Sequence, residues 1–132
     1  MLNSAPIVWY SKRQSTVETS TFGSEFVALR IATELVQGLR YKLRMMGVPL
    51  DGPTLMYCDN KSVTKNASIP ESTLSKKHNA ICYHKVRESV AAGWLQIAWI
   101  KSENNLADLF TKVLNRVRRQ DLIQHMLTRW SK

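Results

Sequence analysis

Three carboxylates stand where an acidic side chain can do more than face solvent: Glu25, Asp59 and Asp108. Glu25 falls in the first turn of a predicted long helix, on the same face as Leu29, Ala32 and Val36. A charge aligned with a buried stripe is costly unless something satisfies it. Near a helix N-terminus the same acid interacts favourably with the macrodipole, which is the plainer explanation. Asp59 ends the apolar run TLMYC. In open α/β sheets ligands bind beyond the carboxyl ends of strands, although an Asp or Asn that merely caps the next helix fits the position equally. Asp108 sits between Leu106 and the pair Leu109–Phe110, at the start of a short predicted helix where an acid is again favoured. Singly, each is an ordinary helix-start residue. Together, one carboxylate at a strand end and two at helix starts form a donor set for divalent cations. Magnesium prefers oxygen ligands and keeps several waters, so scattered Asp and Glu suffice without any His or Cys spacing. Two such ions about 3.5–4 Å apart activate a water and stabilise the leaving oxygen in phosphodiester hydrolysis.

The elements that must position these acids alternate between strand and helix. Residues 5–19 are β-prone, with Ile7, Val8, Trp9, Tyr10, Thr16 and Val17 and no helical period. Ser20 or Thr21 offers an N-cap, and from Ser24 to Met46 apolar residues recur at Ala28, Leu29, Ala32, Leu35, Val36, Leu39 and Leu43, an amphipathic helix. Gly47 with Pro49 beyond supplies the stop. A turn at 51–53 leads to a strand at 54–58, then a short helix runs from Asp59–Asn60 to about Ala67. A polar loop at 68–76 precedes a helix over 77–92, closed by Gly93. Leu95, Ile97 and Trp99 alternate with Gln96 and Ala98 in a strand from Trp94 to Lys101. SENN then caps a helix holding Leu106, Leu109 and Phe110, and a terminal helix fits 116–130. This order predicts an α/β layer fold whose later strands are parallel. Three strands make a thin sheet for so many helices.

Length and charge narrow the function. At 132 residues the chain amounts to one domain, with 44% hydrophobic and 22% charged residues, ordinary values for a globular protein. It has no apolar run long enough to span a membrane and no secretory signal at MLNSAPIVWY, so an intracellular setting is expected, in a cytoplasmic particle or the nucleus. Cys58 and Cys82 lie in apolar segments, which reads as buried free thiols rather than a disulfide or metal pair. Nineteen Lys and Arg against ten Asp and Glu give +9. Such an excess suits a polyanion, because each neutralised phosphate releases counterions, although it also serves plain solubility. The cations cluster at Lys12–Arg13, at Arg40, Lys42 and Arg44, at Lys76–Lys77–His78, and at Arg116, Arg118 and Arg119. None of these lies opposite a Trp- or Phe-rich helical face, which favours nucleic acid over a membrane surface.

Four blocks give the acids a context. WYSKRQSTVETSTFGSEFVAL, YCDNKSV, SKKHNAICYHKVRESVAAG and NNLADLFTKVL resemble, in order and spacing, the ribonuclease H domain at the C-terminal end of copia-type retrotransposon polyproteins. The likeness covers nearly the whole chain. It implies a ribonuclease H-like α/β fold, a mixed sheet flanked by helices. It implies a four-carboxylate site that binds two Mg²⁺ and cuts the RNA strand of an RNA–DNA hybrid. Glu25 matches the family's helix glutamate, Asp59 its second-strand aspartate and Asp108 its late aspartate. The implied nucleic-acid contacts are Lys12, Arg13, Asn60, Lys61, Lys76, Lys77 and His78, and the implied neighbour in a full polyprotein is an upstream reverse transcriptase region.

Two departures accompany the resemblance. Related domains carry a catalytic histidine after the last strand, but KSENN has none, and His84 is read as structural. The family's first aspartate precedes a segment like LNSAPIVW, so the first two strands are expected to be missing and the first metal ligand with them. Glu18, on the predicted outer strand, is not read as its substitute. That strand is expected either to pair with 54–58 or to keep unpaired edges. The functional expectation is a hybrid-cutting nuclease impaired in this chain, with an inactive retrotransposon remnant that binds nucleic acid through its basic surface as the alternative.

Overall fold

The computed structural model describes residues 6–8, 10, 11, 21–68 and 80–126. Most of the predicted strand 5–19, nearly all of the loop 68–76, the first residues of the helix 77–92 and residues 127–130 lie outside these. So do Lys12, Arg13, Glu18, Lys76, Lys77 and His78. Residues 6–8, 10 and 11 carry no regular structure, since no described strand pairs with them to supply a ladder. The described residues group into two compact units, those of Thr16–Ile100 and those of Lys101–Lys132 with Met1–Ser15.

In the larger unit, α1 runs over Thr21–Met45, starting three residues before the predicted Ser24. Its buried side is Phe26, Leu29 and Thr33, with Val36 partly buried beyond. These positions follow the three- and four-residue steps that align side chains on one helix face. Of the predicted stripe, Leu29 is buried and Ala32, Val36, Leu39 and Leu43 are half-buried, whereas Ala28 and Leu35 face solvent. The stripe lacked Phe26 and Thr33, both fully buried. The Thr33 hydroxyl donates to the Leu29 carbonyl at 2.8 Å, so its polar atom is satisfied within the helix and the methyl can pack. The helix stops at Gly47 as predicted, and does so in a Schellman motif, with Gly47 at φ 77° and N–H groups of Gly47 and Val48 donating to the carbonyls of Arg44 and Leu43, both at 3.0 Å.

Strands β1 (Thr54–Cys58) and β2 (Leu95–Trp99) pair in parallel, Thr54 opposite Leu95 and Cys58 opposite Trp99. Side chains alternate across a strand, so Met56, Cys58, Leu95 and Ile97 share the core face while Leu55, Tyr57 and Gln96 are exposed. Between the strands lie α2 (Lys61–Ser68) and α3 (Ala80–Ala91). A parallel pair needs such a crossover, because a tight hairpin can join only antiparallel strands. Phe26, Leu29, Cys58, Val63, Ala67, Tyr83, Val86, Leu95 and Ile97 form the continuous core, with the Phe26 and Tyr83 rings 5.7 Å apart. Arg40 ties α1 to the start of β1 by donating to the Thr54 hydroxyl at 2.7 Å and the Gly52 carbonyl at 3.2 Å. One member of the predicted basic cluster is thus a structural brace.

The smaller unit holds a 3-10 turn at Ser102–Asn104, the four-residue α4 (Asp108–Thr111) and α5 (Arg116–Met126). The Asn105 side chain accepts from the Ala107 N–H at 3.1 Å, and the Asn115 side chain caps α5 by accepting from the Arg118 N–H at 2.8 Å. Leu122 is its buried apolar anchor.

Candidate metal centre

Glu25 lies beyond the first turn of α1, because the helix begins at Thr21, and no acid occupies that first turn. The helix dipole therefore explains its position less well than a local partner does. Phe26, its neighbour, is fully buried in the cluster that contains Cys58 at the end of β1. Packing of α1 through Phe26 brings Glu25 to that strand end. The potential ligand atoms of Glu25, Cys58 and Asp59 lie within 4.8 Å of one another. Two of the predicted carboxylates, far apart in sequence, thus lie together at this strand end.

Cys58 was read only as a buried thiol, and it is buried and free of any disulfide. Its pKa is raised, first by burial and then by the negative charges of Glu25 and Asp59, while hydrogen bonding to Asn60 and Thr64 pulls the other way. It borders both acids as a neutral thiol. Only its place next to Asp59 in the sequence hinted at this.

The strand end is pinned from β2. The Trp99 indole N–H donates to the Asp59 carbonyl at 3.1 Å, and the Lys61 ammonium sits 4.3 Å from the centre of the Trp99 ring. Lys61 is exposed, as a phosphate contact requires. Asn60 has another task, since its side-chain oxygen accepts from the N–H groups of Ser62 at 3.0 Å and Val63 at 3.2 Å, making it the N-cap of α2. His84 is exposed on α3 with its ring edge-on to Tyr83 at 5.3 Å.

Asp108 belongs to the smaller unit and is almost fully enclosed, with 2% of its surface exposed. One carboxylate oxygen pairs with the Lys112 ammonium at 3.1 Å and the other accepts from Arg118 Nη2 at 2.8 Å. The same Nη2 donates to the Ser102 carbonyl at 2.6 Å. Sequence reasoning missed this enclosure. The four-residue step to Lys112 was readable on a helix; the reach of Arg118 from α5 was not.

Over most of its length the chain is similar to segments of plant transposon polyproteins. It is 33% identical over 112 residues to the retrovirus-related Pol polyprotein from transposon RE2 of Arabidopsis thaliana, covering 85% of this chain. It is 33% identical over 111 residues to that from transposon RE1 of the same plant, covering 84%, and 32% identical over 113 residues to that from transposon TNT 1-94 of Nicotiana tabacum, covering 83%. The chain spans 8% of the length of each relative. No protein-family profile and no solved structure matches it significantly. Homology to retrotransposon Pol polyproteins is therefore established, and among the described residues no helix is long and apolar enough to cross a membrane.

Proposed function

We propose that the chain is the ribonuclease H region of a copia-type retrotransposon polyprotein, with a ribonuclease H-like fold, acting on the RNA strand of RNA–DNA hybrids. The convergence of Glu25 and Asp59 at the end of β1 carries this reading. A parallel β-α-α-β unit with acids at the carboxyl end of a strand is where such a fold places a ligand. Similarity to Pol polyproteins supplies the biological setting, with a reverse transcriptase region as the proposed neighbour.

The donor set fits magnesium. Two partly buried carboxylates from different elements offer hard oxygen ligands, and the adjacent thiol is held neutral, a form that does not compete for a hard ion. Glu25 and Asp59 are the proposed ligands at this strand end; the resemblance alone adds Asp108, which is paired with Lys112 and Arg118. When bound, Mg²⁺ supplies an activated water and charge neutralisation at the phosphodiester. The protein's own part is positional: α1 and β1 fix Glu25 and Asp59, Trp99 holds the Asp59 backbone, and Lys61 offers a cation to phosphate.

The test is cleavage of a hybrid labelled in its RNA strand, with Mg²⁺, by the chain alone and by the chain joined to an upstream Pol region. Cleavage is expected at least in the joined form, falling to background in Asp59→Asn and in Glu25→Gln. Cleavage that persists in both variants would refute the site. Absence of hybrid cleavage in both forms would refute the activity.

A further inference from the structure

We infer that Trp99 is a positioning residue for phosphate recognition, seating the Lys61 ammonium on its ring while its indole N–H holds the Asp59 backbone. The inference rests on the reading of the chain as a hybrid-binding protein and adds a residue that neither the resemblance nor any motif assigned. Strand alternation puts Trp99 on the side of the sheet that carries Leu95 and Ile97, and the ladder sets it opposite Cys58. Leu95 and Ile97 are buried, whereas Trp99 is 40% exposed, because both strands end there. Core packing alone therefore does not account for a tryptophan at this position.

The ring has little freedom. The Ile100 N–H donates to the Cys58 carbonyl at 3.0 Å and the indole N–H to the Asp59 carbonyl at 3.1 Å, so backbone and side chain together fix its orientation across the end of β1. Lys61, whose ammonium lies 4.3 Å from the ring centre, is the first residue of α2. A cation at a helix N-terminus opposes the macrodipole, so helix stability does not account for a lysine there. An exposed lysine also samples many rotamers, and ordering it on a phosphate forfeits that freedom. A ring that already seats the ammonium removes much of that loss. Cation–π attraction, unlike a carboxylate partner, leaves the charge uncancelled for a phosphate. The indole N–H meanwhile fixes the peptide of a proposed metal ligand. One side chain thus sets the place of both the phosphate contact and that ligand, two groups that phosphodiester hydrolysis needs in fixed relation.

Substitution separates the ring from the N–H: Trp99→Phe keeps an aromatic face and loses the donor, while Trp99→Leu loses both. The first measurement is binding of a labelled hybrid to the full chain in EDTA across a salt series, so that no metal contributes. Trp99→Leu is expected to weaken binding about two- to fivefold. It should lower the salt slope by roughly one phosphate, as Lys61→Ala does, with little further loss when the two are combined. Trp99→Phe should keep the slope. The second measurement uses Mn²⁺ alone, followed by the loss of the free-ion electron spin resonance signal. Trp99→Phe should bind Mn²⁺ about two- to tenfold more weakly, and Lys61→Ala should not weaken it. A folded Trp99→Leu protein with the unsubstituted slope, or losses that add in the double variant, would reject the seat for Lys61. Unchanged Mn²⁺ affinity in Trp99→Phe would reject the hold on Asp59. If Trp99→Leu does not fold, the unsubstituted chain decides. Its Lys61 ε-methylene proton resonances should lie upfield of those of Lys65 through the ring current and should shift when the hybrid is added; random-coil positions, or no response, would reject the seat. Failure of the underlying reading looks different: the unsubstituted chain would then show no salt-dependent affinity for the hybrid, and this inference would fall with it.

Discussion

At the scale of single residues, Cys58 shows how a neighbour sets the chemistry of a site without joining it. The thiolate, not the thiol, is a metal ligand, and burial beside two acids holds Cys58 in the thiol form. The raised pKa also has a stability consequence. Over the interval between the ordinary thiol value and the raised folded value, the unfolded chain releases the proton while the folded chain keeps it. The contribution of Cys58 to stability is therefore intact below the ordinary thiol range and is lost as pH rises through the folded value. Denaturation midpoints should fall on alkalinisation by less in Cys58→Ser than in the unsubstituted chain. At neutral pH, iodoacetamide should label the half-buried Cys82 first and reach Cys58 only when denaturant opens the core. Equal labelling rates for the two thiols in the native protein would contradict the enclosure described here. This arrangement could not be read from the sequence, because Glu25 approaches Cys58 through the packing of Phe26 and not through any local pattern.

Elements were the most legible scale, for a physical reason. Helix ends and strand alternation are written in residues a few positions apart. Gly47, Gly93, the run 54–58 and the alternation from Leu95 to Trp99 all sit where local rules put them. The misreadings came from longer range. The stripe of α1 lacked Thr33, a polar residue that belongs to the buried face, and the brace from Arg40 to Thr54 looked like part of a phosphate-binding cluster. Asn60 illustrates a residue with two plausible duties at one position. Its side-chain oxygen caps α2, which carries Val63 and Ala67 into the core. Asn60→Ala should cost about 1 kcal/mol of stability, whereas Asn60→Ser, which preserves a capping oxygen, should be nearly neutral. Chemical denaturation of both variants checks this. A neutral Asn60→Ala would mean that the cap is not what holds the start of α2.

At the scale of the whole molecule, the net charge of +9 no longer reads as a uniform phosphate-binding surface. Several cations have assignments within the fold: Arg30 pairs with Glu34, Arg40 braces β1, Arg87 donates to the Tyr83 hydroxyl, and Arg118 and Lys112 neutralise Asp108. Others, including Lys42, Arg44, Lys61, Lys65, Arg116 and Arg119, are exposed and available to a polyanion. Phosphate contacts release condensed counterions, so affinity for a hybrid should fall linearly with salt on logarithmic axes, with a slope that counts the phosphates engaged. If roughly six exposed cations engage, binding should weaken on the order of 10³-fold between about 50 and 200 mM salt. Fluorescence anisotropy of a labelled hybrid across that range measures the slope. Lys61→Ala should reduce it by roughly one phosphate, because Lys61 lies beside the acids on the ring of Trp99, whereas Arg40→Lys should leave it unaltered, because Arg40 is committed to Thr54 and Gly52. A salt-independent affinity would remove the basic surface from the binding face, and with it the physical basis for reading this chain's charge as recognition of nucleic acid.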